Sequence, residues 1–478
     1  MKSSTRERRV VAVSNRVASP SEEDKAAGGL AVGVLGALRA NGGIWFGWNG
    51  KLTEGETHEP EVEEHGNIRF IGIDLNEEDY EGYYNGFSNK VLWPLFHYLL
   101  SFIEYKRADF HAYLRVNTMF ARKLIPLLEP DDVIWVHDYH LIPLASELRK
   151  AGIRQPIGFF LHVPFPDFDV LQVLPDRNYI LRAMCAYDVV GFHTHRDLAS
   201  FRAAVSEPEI GAEVLGDGTI RVGGGLMRAG AFPIGIDVDT LISFAEDAQN
   251  DSEVIRTRHG LEGRRFIIGV DRLDYSKGLE QRFRSYARLL EKYPETRGTV
   301  SYTQIAPPTR VGVRTYDEIR ASLEQTSGEI NGRFATLDWV PLKYINRGTN
   351  RKALMGLFRL ANVGLVTPIR DGMNLVAKEF VAAQDPENPG MLVLSTLAGA
   401  SHELRDAVLV NPYDTDDVAD GINRALTMSL DERRYRHSEM MTALRKNDIV
   451  AWRDRFIEAL CAPKEPAPKE PNGDEPAS

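Results

Sequence analysis

The chain has 478 residues, 43% of them hydrophobic and 26% charged, with a formal net charge of −11. That length exceeds one hydrophobic core and suits two domains, and the composition is that of an ordinary globular protein. An acidic surface attracts neither nucleic acid nor an anionic membrane, so both classes of binder are disfavoured.

Residues 1–9 are basic but are followed by no signal-type apolar segment. No stretch approaches transmembrane length, so a cytoplasmic protein is expected. Cys185 and Cys461 read as two buried thiols rather than as a disulfide. Short β-branched runs alternate with longer amphipathic segments, the pattern of parallel α/β domains. A first strand over residues 9–14 leads to Ser14-Asn15-Arg16, and Gly28-Gly29-Leu30-Ala31 opens a helix over 28–40. The glycine pair is not a dinucleotide fingerprint. Trp45, Trp48, Tyr83, Tyr84 and Trp93 crowd the first quarter. Most read as core, with one or two placed to stack on a sugar.

Strands over 133–137 and 157–162 follow, with Asp138 just past the first and His162 at the end of the second. A carboxylate there can accept a proton or orient a hydroxyl, and a histidine beside it strengthens the signal, although a lone histidine is commonly structural. A further strand is expected over 189–193. Asp167-Phe168-Asp169 has metal-binding spacing but follows a proline-rich loop. His193-Thr194-His195 lacks evident further zinc ligands. No Gly-x-x-x-x-Gly-Lys-Ser/Thr loop is present. No metal is expected in the chemical step.

Pro and Gly interrupt the pattern at residues 232–237, the expected boundary, and a helical stretch runs on to about Gly260. The second half reads as strands over 266–270, 300–305, 363–366 and 391–395, interleaved with helices over 277–292, 351–360 and 374–383. The strand ending at Val270 delivers Arg272 and Lys277 into the following loop. Two cations there suit a diphosphate; the alternative is solvated side chains paired with Asp271 or Asp274. The strand ending at Val366 leads through Arg370-Asp371-Gly372-Met373 to a helix start at Asn374. Backbone N–H groups at a helix start bind phosphate and sugar oxygens. Glu379, in the early turns, suits ribose hydroxyls, or else simply complements the helix dipole. The tail from Ala462 repeats Ala-Pro-Lys-Glu-Pro and reads as disordered. Two doubly wound domains put their crevices at the strands' carboxyl ends, so a shared substrate belongs in the cleft between them.

These stretches, with Trp45-Phe46-Gly47-Trp48, Tyr83-Tyr84-Asn85, Val91-Leu92-Trp93-Pro94 and Trp135-Val136-His137-Asp138-Tyr139-His140, occur in an order that resembles the trehalose-6-phosphate synthases. The resemblance runs from about Arg9 to about Phe456. It implies two Rossmann-like doubly wound domains facing across a cleft, the GT-B fold. An acceptor domain would span residues 1–236 and a nucleotide-sugar domain 237–446. A helix over 447–461 would pack back on the first domain, ahead of the disordered tail 462–478.

The resemblance implies a retaining, front-face transfer of glucose from UDP- or ADP-glucose to glucose 6-phosphate. Arg272 and Lys277, with the Leu375 and Val376 amides, would hold the diphosphate. Glu379 would take the ribose, and Asp371, Gly372, Met373 and Asn374 the transferred glucose. Gly28 and Gly29 would close over the donor. Arg16 and Arg310 would meet the acceptor phosphate, with Tyr84, Trp93, Asp138 and Trp48 around the acceptor sugar. His162 would contact the donor glucose near its 6-hydroxyl. Such enzymes need no cofactor and are often homo-oligomers. The rival readings are a sister transferase using glycerol phosphate or a cyclitol phosphate, and a non-catalytic regulatory subunit. The intact acceptor set speaks against the first. Intact Arg272, Lys277, Asp371 and Glu379 speak against the second.

Overall fold

The computed structural model describes residues 8–17, 29–55, 57–309 and 314–463. The first sheet holds ten strands: β1 (Val10–Arg16), β2 (Gly43–Thr53), β3 (Glu61–His65), β4 (Ile68–Asn76), β5 (Val133–His137), β6 (Ile157–Phe160), β7 (Val189–Phe192), β8 (Ala212–Val214), β9 (Thr219–Val222) and β10 (Gly225–Ala231). Their order is β3-β4-β2-β1-β5-β6-β7-β10-β9-β8. The neighbours from β4 to β10 are parallel, while β3 and the β8–β9–β10 meander close the edges antiparallel.

Central strands of such a sheet are covered on both faces, so they need unbroken apolar runs rather than alternation. Val10, Val11, Ala12 and Val13 of β1, and every residue of β5, are buried accordingly. The edge strand β3 (Glu-Val-Glu-Glu-His) is exposed throughout, and its glutamates discourage pairing with a further strand.

The second sheet is parallel throughout: β11 (Arg265–Val270), β12 (Val300–Ile305), β13 (Leu342–Ile345), β14 (Val363–Val366), β15 (Met391–Ser395) and β16 (Val408–Val410), in the order β13-β12-β11-β14-β15-β16. The helix Leu279–Lys292 carries β11 over to β12 and buries Leu279, Phe283, Tyr286, Leu289 and Leu290 on one stripe.

The chain passes between the sheets twice, and the crossings touch. Ile449 N–H donates to the Ile236 carbonyl at 3.2 Å. Lys378 Nζ reaches the Ile234 carbonyl at 2.7 Å. Gly235 lies so close to the Asn447 carbonyl oxygen that a side chain there would collide with it. The final helix, Ile449–Cys461, then lies on the first sheet. Trp452 sits 5.0 Å from Trp135 and edge-on to Phe160 at 5.1 Å, and Phe456 stacks on Trp135 at 5.1 Å.

The expected strands are present with shifted ends. β1 runs on to Arg16, so Ser14, Asn15 and Arg16 are strand residues, because β1 and β2 stay paired as far as Arg16 and Trp48. β6 stops at Phe160, leaving His162 two residues beyond it. The helix expected from Lys277 begins at Leu279. Tyr275–Lys277 form a separate 3₁₀ turn, and Gly278 at φ +63° breaks the run. The helical stretch toward Gly260 is two helices, Val238–Asp247 and Ser252–Leu261, separated at Asp251, which caps the second. Tyr80–Leu92 forms a π-helix of 13 residues, which neither the 3.6 nor the 2.0 period anticipates. Gly28, Arg310 and tail residues 464–478 lie outside the described residues. Both cysteines are free; Cys185 is buried and Cys461 half-buried, so only one matches the expected burial.

Candidate active site

Asp138 follows β5 with φ +73° and ψ 164°, a region that residues with a Cβ rarely enter. Neighbouring hydrogen bonds hold it there. Its N–H donates to the Phe160 carbonyl at 2.8 Å, and its Oδ1 accepts from His162 N–H at 3.2 Å. Such strain persists where the surroundings over-determine it, commonly at working sites. Asp138 and His162 are thus tied together at the ends of adjacent parallel strands.

On the same sheet, Arg16 is exposed at the end of β1, its guanidinium 5.9 Å from the Trp48 ring. Trp48 is buried and anchored by Nε1–H to the Lys51 carbonyl at 2.8 Å. Tyr80 and Tyr84 of the π-helix stack at 5.4 Å, and Tyr84 stacks on His140 at 5.8 Å. Tyr83, by contrast, is wholly buried, its hydroxyl donating to Asn15 Oδ1 at 2.8 Å. Trp93 is buried and lies 4.1 Å from the His97 ring. Burial lowers His97 to about 4, so it is neutral near pH 7.

Across from these, the loops after β11 and β14 converge. Lys277 Nζ lies 2.5 Å from Asp371 Oδ2, and Asn374 Nδ2 donates to the same oxygen at 3.1 Å. Burial works to raise the Asp371 carboxyl, but Lys277 beside it outweighs this and holds it below the ordinary value. Asn374, at φ +75°, caps the helix Leu375–Ala383, its Oδ1 accepting from Ala377 N–H at 3.1 Å. The half-buried Leu375 and Val376 therefore occupy the first two helical positions, where N–H groups lack intrahelical partners. Met373, just before the cap, is buried. Arg272 is exposed, forms no ion pair among the described residues, and has its guanidinium 6.0 Å from the Trp93 ring. Glu379 is buried, with Arg351 its one ion-pair partner among the described residues, at 3.5 Å, and desolvation pushes its carboxyl up to about 7.

The two halves meet over these groups. Trp93 Nε1–H points at Asp274 Oδ1 across 3.4 Å. Phe102 and Tyr275 stack face to face at 4.6 Å, and the Arg370 guanidinium sits 3.8 Å over the Tyr98 ring. Gly372 presses against the His162 carbonyl so closely that any side chain would clash. The contact brings the Asp371–Asn374 loop to the Asp138–His162 pair. Of the residues singled out from sequence, all but Gly28 and Arg310 are described. Gly29 opens the helix Gly29–Asn41.

The alternative of solvated cations fails for Lys277, which is buried and pairs with Asp371 rather than with Asp271 or Asp274. Those two acids have other tasks. Asp271 holds the buried Arg282 at 2.5 Å, and Asp274 accepts from Tyr316 and Ser276 N–H. Arg282 was not singled out, yet it braces the loop by donating to the Lys277 carbonyl at 3.2 Å and to Thr367 Oγ1 at 2.9 Å. The available signal was an arginine within the apolar stripe Leu279, Phe283 and Tyr286. His97 and Tyr98 were not singled out, and Arg370 was read only as part of its loop; the fold brings all three to the seam. Among the described residues no group of three or more His, Cys, Asp or Glu is placed to hold a metal ion, and no helix is long and apolar enough to cross a membrane.

A cationic loop, a capped helix start and a buried carboxylate thus face an aromatic wall bearing Arg16, Asp138 and His162. Such an arrangement can hold a nucleoside diphosphate sugar on one side and a phosphorylated acceptor on the other. Comparison with known proteins agrees. The model of glycosyltransferase family 20 matches residues 3–462. A Klebsiella pneumoniae trehalose-6-phosphate synthase is 50% identical over 452 residues, covering 95% of each chain. The structure of a UDP-forming α,α-trehalose-phosphate synthase from Burkholderia xenovorans, in complex with glucose-6-phosphate, matches with a TM-score of 0.91. It is 49% identical and covers 95% of this chain and 100% of that one. An E. coli structure described as bound with UDP-2-fluoro glucose matches at TM-score 0.91 and 48% identity, covering 95% and 98%. These similarities place the molecule in the GT-B architecture.

Proposed function

Because the chain belongs to glycosyltransferase family 20 and is accordingly a glycosyltransferase, we propose that it transfers glucose from UDP-glucose to glucose 6-phosphate, releasing UDP and trehalose 6-phosphate. The supporting observation is the Lys277–Asp371–Asn374 cluster, with exposed Arg272, set against Asp138 and His162 by the Gly372 contact. The UDP preference rests on relatives described as UDP-forming; ADP-glucose remains the alternative donor.

In this reading the diphosphate lies against Arg272, Lys277 and the Leu375 and Val376 amides, with the ribose hydroxyls on Glu379. Glu379 fits that role because its burial leaves a carboxyl with one distant partner among the described residues, which ribose hydroxyls would satisfy. Asp371, Gly372, Met373 and Asn374 hold the transferred glucose, and His162 meets its 6-hydroxyl. Gly28 and Gly29 close over the donor. Arg16 and Arg310 bind the acceptor phosphate, while Tyr84, Trp93, Asp138 and Trp48 orient the sugar.

Reaction proceeds at the front face with retention. The acceptor hydroxyl attacks C1 on the side that the diphosphate leaves, and the departing phosphate oxygen takes the hydroxyl proton. The protein contributes orientation and neutralisation of the leaving charge. Arg272 and Lys277 supply that neutralisation, so no metal or cofactor is required. Cytoplasmic location and homo-oligomeric assembly belong to the same reading.

Incubating the purified chain with glucose 6-phosphate and UDP-, ADP- or GDP-glucose tests this. An α,α-linked product by mass and anomeric NMR supports it, with relative rates fixing the base. Turnover only with glycerol phosphate or a cyclitol phosphate would keep the fold and overturn the acceptor. Silence with every pair would favour a regulatory role. Chelator-insensitive turnover is the expected result for the metal question, and loss of activity would overturn that part.

A further inference from the structure

His137, the last residue of β5, is completely buried, and the reaction outlined above gives it no task. Its Nδ1 lies 3.2 Å from His162 Nε2. Its other ring nitrogen, Nε2, is buried with no hydrogen-bond partner among the described residues, in a pocket where Trp135 packs 4.5 Å from its ring and Trp452 lies 6.5 Å away. Burial lowers both imidazoles, His162 to about 3, so both are neutral near pH 7. Two neutral imidazoles this close must divide the roles, one donating and one accepting.

The two ways of dividing them differ in what they leave buried. If His162 donated from Nε2, His137 would carry its proton on Nε2, an N–H enclosed by indole rings with no acceptor. If His137 donates from Nδ1, its Nε2 is a bare lone pair. Buried N–H groups without partners are rarer than under-used acceptors, so the second division is favoured. It puts the His162 proton on Nδ1.

We propose that His137 is a positioning residue: by donating its Nδ1–H to His162 Nε2, it fixes His162 as the Nδ1–H tautomer and so presents a hydrogen-bond donor to the transferred sugar. The proposal rests on the transferase reading for what His162 meets, but not for the tautomer itself. The final helix takes part, since Trp452 packs 6.1 Å from the His162 ring and walls in the pair. A structural filler at position 137 would need only shape; a tautomer-fixing residue needs a donor at that point.

Long-range ¹H–¹⁵N correlation spectra of protein labelled at histidine read the tautomer directly and need no substrate. The His162 signal is assigned by its loss in His162→Gln. The expected result is Nδ1–H for His162 in the unmodified protein. His137→Asn, whose Nδ2 amide restores a donor near the same point, should retain it. His137→Met, which offers only a weak acceptor at that point and no donor, should turn His162 to Nε2–H and lower kcat roughly two- to tenfold, with KM for glucose 6-phosphate unchanged. An Nε2–H signal in the unmodified protein overturns the proposal. So does His137→Met with an unaltered His162 tautomer, or an altered tautomer with unaltered kcat. A protein whose spectrum shows Nδ1–H but which makes no trehalose 6-phosphate would refute the transferase reading alone.

Discussion

Lys277 and Asp371 extend from loops that follow two neighbouring strands, β11 and β14, and their charges meet at 2.5 Å with side chains only 11% and 13% exposed. Removing one partner of such a pair leaves the other charge buried and alone, at a cost of about 3–5 kcal/mol. Lys277→Met should therefore lower the denaturation midpoint as well as abolish most turnover. An unchanged midpoint in a urea titration would show that the pair does not stabilise the loop.

Arg272 presents the opposite case. It is exposed and unpaired among the described residues, so Arg272→Ala should leave stability within about 0.5 kcal/mol. If Arg272 faces the leaving diphosphate as proposed, losing that cation should lower kcat by roughly 10²–10³. Steady-state kinetics beside thermal melts would check both halves, and a variant that melted early with intact kcat would contradict the assignment.

Glu379 couples stability to pH. Its folded value, about 7, lies above the unfolded 4.5, so the folded state favours the protonated form. That contribution is complete below about pH 4.5 and is lost as pH rises to about 7, costing roughly 3 kcal/mol at most. Glu379→Gln should thus raise the melting temperature at pH 8, with little change at pH 4.5, while weakening nucleotide-sugar binding. Equal melting shifts at both pH values would argue against a raised carboxyl.

In the proposed reading Arg16 meets the acceptor phosphate, so Arg16→Ala should remove a charge-assisted contact worth about 1.5–3 kcal/mol. The expected outcome is a KM for glucose 6-phosphate raised on the order of ten- to a hundredfold, with kcat little changed. A kcat effect at unchanged KM would move Arg16 from acceptor binding to the chemical step.

Much of this site was readable in the chain because its residues follow strands, and buried parallel strands announce themselves as unbroken apolar runs. Asp138 after Val133–His137 and Lys277 after Arg265–Val270 were legible in that way. What joins the halves was not. Trp93 meeting Asp274, and Arg370 over Tyr98, are contacts between residues far apart in sequence, with no local period to signal them. The π-helix Tyr80–Leu92 escaped because its winding matches neither pattern used to read helices and strands. His137 escaped because a histidine ending a buried strand looks like core until its neighbour at 3.2 Å is known.

The two passages of chain between the sheets, at Ile234–Ile236 and Asn447–Ile449, are bonded side by side. Two pins on one line leave a pair of bodies a single easy freedom, rotation about that line, and resist sliding or twisting. The lobes would swing like a book on its spine. The pages meet at Gly372 and His162, so a small angle at the spine would part them, and in the proposed reading that gap would admit the nucleotide sugar.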